Sequence, residues 1–245
     1  MTDTMLVATY NVHKCVGAGG SFSPARVAAV IAEVGADVVA VQEADERFGA
    51  RQGLLDEADL ARRAGMRLLC QSDVPGGHGW HGNAILVRHM PLAYERRRID
   101  LPGLEPRGAV VADLDMGKGR FRLVAAHLGL LAHSRTRQAA AILGALAEAE
   151  PLPTILLGDL NEWRARATAL AVLEPLFGRS TRRATFPARL PILPLDRILG
   201  WPMGVVGPAQ VHDTPLARRA SDHLPLKAAV RLSAGAMLQD AAWAA

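Results

Sequence analysis

An acid and an amide two positions apart, Asp159 and Asn161, close a short apolar run, Ile155-Leu156-Leu157-Gly158. Strand side chains alternate with a period of two, so a strand leaving here presents both groups on one side of the backbone. A carboxylate beside a carboxamide can orient a water molecule and remove its proton. Asp and Asn also favour turns for purely local reasons, so the pair gains meaning only from its company. That company is specific. Asn11 follows the apolar residues 5–10, Glu43 follows 37–42, and His127 follows 123–126. Asp196 stands in Pro194-Leu195-Asp196-Arg197-Ile198, and Asp222 with His223 in Ser221-Asp222-His223-Leu224-Pro225. Each alone has an ordinary explanation. Glu43 is one acid beside Asp45 and Glu46, and His127 reads equally as a satisfied core histidine. Asp196 suits an N-cap or an Arg197 partner, and Ser221-Asp222-His223 suits a turn before proline. Together they all fall at strand ends, and strand ends on one sheet edge share one cleft.

The elements that must position these residues are legible in outline. Residues 5–10 read as a buried strand. A helix follows, with Ser23 as N-cap, Pro24 in the first turn, Val27, Val30, Ile31 and Val34 at helical spacing, and Gly35 as its stop. A second strand at 37–41 completes a βαβ unit. Its parallel strands put Asn11 and Glu43 on the same rim. Residues 53–65 predict a second helix. Short strands are expected at 67–71, 82–87, 92–99, 108–114 and 121–126, in a meander rather than a strict alternation. A helix is expected at 134–148, a strand at 154–157 and a helical piece at 164–176. Strands at 195–199, 205–212 and 224–232 complete the pattern. The order fits one α/β domain over residues 1–232, with two mixed or antiparallel sheets face to face and helices outside, and a C-terminal tail over 233–245.

Of 245 residues, half are hydrophobic and 21% charged, the composition of a folded globular protein with a substantial core. The net charge of +4 suits an anionic substrate. Arg96-Arg97-Arg98, Arg182-Arg183 and Arg218-Arg219 carry much of the positive charge, and solvated surface explains them equally well. Cys15 and Cys70 are the two cysteines and lack metal-ligand spacing, which argues against a disulfide scaffold. With no basic segment leading into a long apolar stretch, neither a signal peptide nor a membrane span is expected, and the cytoplasm is the default compartment. Aromatic residues are scarce at 4%, which disfavours a base-stacking groove. Oligomeric state is left open.

The ordered series Thr9-Tyr10-Asn11, Gln42-Glu43, Gly82-Asn83-Ala84, Ala126-His127-Leu128, Gly158-Asp159-Leu160-Asn161, Leu195-Asp196-Arg197 and Ser221-Asp222-His223 resembles the endonuclease/exonuclease/phosphatase superfamily. The resemblance implies the DNase-I-like fold, a four-layer α/β sandwich, and divalent-metal-dependent phosphoester hydrolysis. On that resemblance Glu43 is the main Mg²⁺ ligand, with Asn11 beside it and Asp222 contributing from the opposite tip; Mn²⁺ is the second candidate cofactor. Asp159 would act as the base, and Asn161 would hold the attacking water or a phosphate oxygen. Asp196 would fix the ring of His223, which binds a phosphoryl oxygen or moves a proton. His127 would contact the phosphate or protonate the leaving oxygen. Arg107 and His13 are further phosphate contacts. The chain departs from many nucleases of the superfamily at Asn11-Val12-His13-Lys14, where an acid is replaced by a histidine, which favours a one-carboxylate metal site and resembles a small bacterial branch. The expected substrate is a phosphoester, with nucleic acid one candidate and lipids or small molecules the alternative. A binding module that lost catalysis is the third reading. His78, His81 and His89 receive no chemistry.

Overall fold

The computed structural model describes residues 4–46, 48–69, 72–117, 119–164 and 168–232. The expected tail at 233–245 lies outside them, as do Cys70, Gln71 at the end of the strand expected over 67–71, and residues 165–167 of the expected helical piece.

Strand β1 (Thr4–Asn11) leads into helix α1 (Pro24–Val34) and strand β2 (Val38–Gln42). The helix starts where Ser23 accepts a hydrogen bond from the Arg26 amide, and stops at Gly35 with φ of 67°. Only a glycine reaches that left-handed conformation without strain. Its apolar stripe, Val27, Val30, Ile31 and Val34, is buried against the sheet. Full burial of each such side chain contributes about 1.5–3 kcal/mol.

The second helix is shorter than the spacing predicts: α2 (Glu57–Asp59) runs into a π-helical turn, Leu60–Ala64. Asp56 caps it by accepting from the Asp59 amide, so residues 53–56 remain outside. Next come β3 (Arg67–Leu68), β4 (Ala84–Val87), β5 (Ala93–Leu101), β6 (Arg107–Asp115) and β7 (Arg120–His127). Then follow α3 (Ala132–Ala147), β8 (Thr154–Asp159), α4 (Thr168–Phe177) and β9 (Asp196–Trp201). The chain closes with β10 (Gln210–Val211), α5 (Ala217–Ala220) and β11 (Leu226–Arg231). The strand expected over 205–212 is reduced to β10, with Val206 making only a single bridge to Val230. Pro208 lies between the two and has no N–H for a continuous ladder.

Two mixed sheets result, ordered β10-β11-β1-β2-β4-β3 and β5-β6-β7-β8-β9. Each contains one parallel pair made by a strand-helix-strand crossover, β1 with β2 and β7 with β8. The sheets pack face to face through Val7, Val38 and Ile85 on one side and Val110, Ile155 and Ile198 on the other. Helix α1 covers the outer face of the first sheet, and α3 with α4 covers that of the second. The result is the expected four-layer α/β sandwich. Parallel pairing within each crossover sets Asn11 beside Gln42 and His127 beside Asp159. These four residues lie at the same end of their strands.

Candidate active site

The second sheet supplies a buried set. In β8 the sequence needs glycine at 158: its φ is 152°, and a Cβ there would lie 1.8 Å from the Ala126 carbonyl oxygen of the neighbouring strand. That close approach sets Asp159 against His127. Antiparallel pairing on the other edge of β8 sets Asp159 opposite Asp196. One oxygen of Asp159, Oδ2, is the meeting point. The Asn11 amide donates to it at 3.0 Å, and the Nε2 atoms of His127 and His223 stand 3.5 Å and 3.6 Å away. The other oxygen accepts from the Asn161 backbone amide at 2.9 Å. Residues 148 positions apart therefore meet on one carboxylate.

His223 is held from behind. Asp196, fully buried, accepts at 2.9 Å from its Nδ1, and the Thr185 hydroxyl donates to the same Asp196 oxygen at 2.5 Å. The Phe186 ring packs against the imidazole, with centroids 4.9 Å apart. Burial by itself would lower the His223 pKa. Asp196 and Asp159 outweigh that and push it up to about 10, so the ring is an imidazolium at neutral pH. The Ser221 hydroxyl anchors the turn by donating to the Asn11 carbonyl at 2.7 Å.

Arg107 approaches the other histidine, with NH1 within 3.0 Å of both ring nitrogens of His127, while NH2 pairs with Glu105 at 3.0 Å. Asn161 sits at φ of 51°, where asparagine is among the better-tolerated residues, and its amide nitrogen donates to the Leu128 carbonyl at 2.9 Å. Half of this side chain is thus spent on holding the loop after β7, and Oδ1 is the end it can offer to a substrate or water.

The first sheet supplies an open set. Glu43 leaves β2 at φ of 56°, and its Oε1 lies 3.4 Å from Asn11 Nδ2. The Asn11 Oδ1 accepts from the His13 amide at 3.0 Å, which fixes the side chain with its nitrogen toward Glu43 and Asp159. Residues His13, Lys14 and Cys15 all have positive φ, 46°, 53° and 59°. Such strain persists only where surrounding structure enforces it. His13 Nδ1 bonds the Val16 carbonyl at 2.9 Å and stands 3.8 Å from Asp222 Oδ1. Asp222 meets the site through His13; no direct contact joins it to Glu43 among the described residues. Glu43 shares a small cleft with Lys14, Asp45, His81, Gly82 and Pro106. Burial raises Asp45 to about 6, although the Gly82 amide donates to it. His81, with φ of 47°, has its pKa lowered by burial and by Arg51 and Arg107.

The structure thus brings Asn11, Glu43, His127, Asp159, Asn161, Asp196, His223 and Arg107 together, with His13 and Asp222 at the outer edge. It adds Thr185, His81 and Lys14. Nothing in the sequence marks Thr185, which lies in a loop without periodic pattern; the proximity of His81 to the Gly82-Asn83 motif is the one available signal for that residue. Among the described residues, no group of three or more His, Cys, Asp and Glu side chains forms a preformed metal cage. One accessible carboxylate on a fixed loop is nonetheless compatible with Mg²⁺, which keeps several waters and binds through one or two carboxylates plus substrate phosphate.

Comparison with known proteins agrees with this geometry. A model of the Endonuclease/Exonuclease/phosphatase family matches residues 8–223. The uncharacterized protein YbhP of Escherichia coli strain K12 is 34% identical over 171 residues, 64% of this chain and 65% of YbhP. The chain therefore spans about 65% of the length of the curated relative it matches. Among solved structures, the endonuclease/exonuclease/phosphatase from Beutenbergia cavernae DSM 12333 superposes with a TM-score of 0.67 at 22% identity, covering 94% of this chain and 72% of that one. A mannosyl-6-phosphatase of Bacteroides thetaiotaomicron VPI-5482 gives a TM-score of 0.67 at 17% identity, over 91% and 98% of the two chains.

Proposed function

The chain belongs to the endonuclease/exonuclease/phosphatase family, and from that premise we propose a divalent-metal-dependent phosphodiesterase in which Asp159 activates water. The observation that carries the reading is the convergence of Asn11, His127 and His223 on Asp159 Oδ2. A buried carboxylate aimed at two imidazoles, one of them positively charged, is suited to taking a proton beside an anionic phosphoryl group.

In this reading the Asn161 Oδ1 orients a water and Asp159 removes its proton as the new phosphorus–oxygen bond forms. Arg107 and His127 bind non-bridging oxygens. The His223 imidazolium, held by Asp196 and Thr185, stabilises the charge on the phosphoryl group and gives its proton to the leaving oxygen as the ester bond breaks. Lys14 adds positive charge at the outer edge, beside His13. Glu43, steadied by Asn11 and with Asp222 nearby, would hold Mg²⁺ or Mn²⁺. When bound, that ion neutralises charge on the phosphoryl and leaving oxygens.

A small diester is favoured over nucleic acid by the arginine clusters. Arg96 and Arg98 both pair with Asp73, at 2.8 Å and 2.5 Å, and Arg97 pairs with Asp113 at 3.1 Å. Arg218 pairs with Asp213 at 2.6 Å. Asp73 serves two arginines and Asp113 also pairs with Arg122, so the charge is offset only in part, but side chains held on neighbouring acids are poorly placed to track a polyphosphate backbone. The test is a hydrolysis panel of bis-p-nitrophenyl phosphate, p-nitrophenyl phosphate, plasmid DNA, oligonucleotides, RNA and phospholipids, each with Mg²⁺, Mn²⁺ or EDTA. Metal-dependent turnover of the small diester is expected, and no metal-dependent turnover of any substrate would overturn the catalytic reading.

A further inference from the structure

Beside the catalytic residues lies a cleft whose rim is apolar. Leu104 stands on one lip with 85% of its surface exposed, and Leu130 and Leu131 on the other with 60% and 44% exposed. Single exposed leucines are ordinary on protein surfaces. Here, however, buried polar side chains tie the backbone at Leu130 and at positions one or two residues from the other two leucines. Gln138 of α3, fully buried, accepts from the Gly129 amide at 2.7 Å and donates to the Pro102 carbonyl at 3.1 Å, so one side chain ties both lips. Arg135, 1% exposed, donates to the Leu130 carbonyl at 2.5 Å, and Asn161 donates to that of Leu128. The fold commits buried hydrogen-bonding groups to loops that present leucines to water. Apolar surface held in fixed positions around a concavity is the signature of a ligand site.

The location of the cleft names the ligand. Glu105 forms part of its wall and accepts from Arg107, which in turn contacts His127. The apolar cleft therefore begins where the phosphate-facing groups end. We propose that the cleft receives an alkyl chain carried by the phosphoester, seated so that the phosphate reaches Arg107 and His127. This assignment rests on the phosphoester-hydrolase reading above and narrows its substrate to esters with an apolar arm.

The experiment compares p-nitrophenyl methyl phosphate with the butyl and octyl esters as monomers in Mg²⁺. In parallel, calorimetry measures the binding of methyl-, butyl- and octylphosphonate. A fully buried methylene favours binding by about fourfold, so kcat/KM for butyl should exceed that for methyl by at least about tenfold. In Leu104→Ser/Leu130→Ser, whose parent residues are exposed, that ratio should collapse toward unity. Gln138→Ala, which frees both lips, should reduce it as well. Ester turnover with no dependence on chain length overturns the cleft assignment and leaves the hydrolase reading standing. Chain-length-dependent phosphonate binding without turnover of any ester supports the cleft and overturns the hydrolase reading. If both assays are flat and the protein forms dimers that Leu130→Ser dissociates, the cleft belongs to a second copy of the chain, and the proposal is wrong.

Discussion

The two crossover units of this molecule are built alike and finished differently. In each, a strand, a helix and a parallel strand deliver two polar residues to one rim: Asn11 and Glu43 from the first sheet, His127 and Asp159 from the second. The second rim is sealed. Asp159, His127 and Asp196 are almost wholly buried, and each is engaged by other side chains. The first rim is left open. Glu43 reaches Asn11 through a long contact at 3.4 Å, and His13 and Asp222 keep side chains 41% and 34% exposed. On the proposed function, the difference separates two tasks. Proton transfer needs fixed geometry and low dielectric, whereas a cation and its substrate must enter and leave. Preorganised groups in a water-poor site cost no reorganisation during reaction.

Substitutions at the two rims should therefore differ in kind. The largest effect is expected at the sealed rim, where Asp159→Asn should lower kcat by about 10³-fold, within the range of general base catalysis, with a native circular dichroism spectrum. Activity within tenfold of wild type would move the base elsewhere. Next, Asp196→Asn should lower kcat by about 10²-fold and bring down the pH at which activity falls on the alkaline side, since Asp196 holds the proton on His223. The same proton governs stability. A histidine pKa raised on folding adds stability that is full below its unfolded value near 6.5. That stability is lost as pH rises through the folded value of about 10. Tm should fall across this interval in the wild type and fall less in His223→Gln; equal slopes would refute the assignment.

At the open rim, Glu43→Gln should raise the Mg²⁺ concentration for half-maximal activity by about 10- to 100-fold, the scale set by losing support at a metal site. Tm measured in EDTA should stay within a degree or two of wild type. A large loss of stability would mean that the rims are not functionally divided. The smallest effect is expected for His13→Asn, which keeps an αL-tolerant residue: a severalfold rise in KM with little change in kcat, read from saturation curves at fixed Mg²⁺.

The sequence made the sealed rim easier to read than the open one. Asp159 and His127 follow apolar runs that periodicity assigns to strands, and Asp196 opens the strand expected over 195–199, so burial and position are both visible in the pattern. Gly158 was readable as the end of a run, but not as a contact with the Ala126 carbonyl, which depends on the partner strand. The open rim depends on backbone conformations that residue types conceal. Glu43, His13, Lys14 and His81 all have positive φ, and none is a glycine. Thr185 was illegible because its partner Asp196 is reached across a loop without repeating pattern. The strand expected over 205–212 was overstated because apolar residues on both sides of Pro208 mimic one run. Asn161 lies two residues past the end of β8 in a left-handed conformation, so strand alternation does not position it, and its amide nitrogen serves the Leu128 carbonyl, a tertiary partner 33 residues away.

The bond from Ser221 to the Asn11 carbonyl ties two points separated by 210 residues, and β11 then docks beside β1. Assembly of the candidate site consequently requires the chain from Asn11 through His223. While the ribosome is still adding residues 200–223, the second rim has no His223 to set against Asp159. A nascent chain that has already collapsed around its apolar strands has no assembled phosphate site. Contacts this far apart in sequence form late and slowly, so the candidate site is not assembled until the chain has been made through His223.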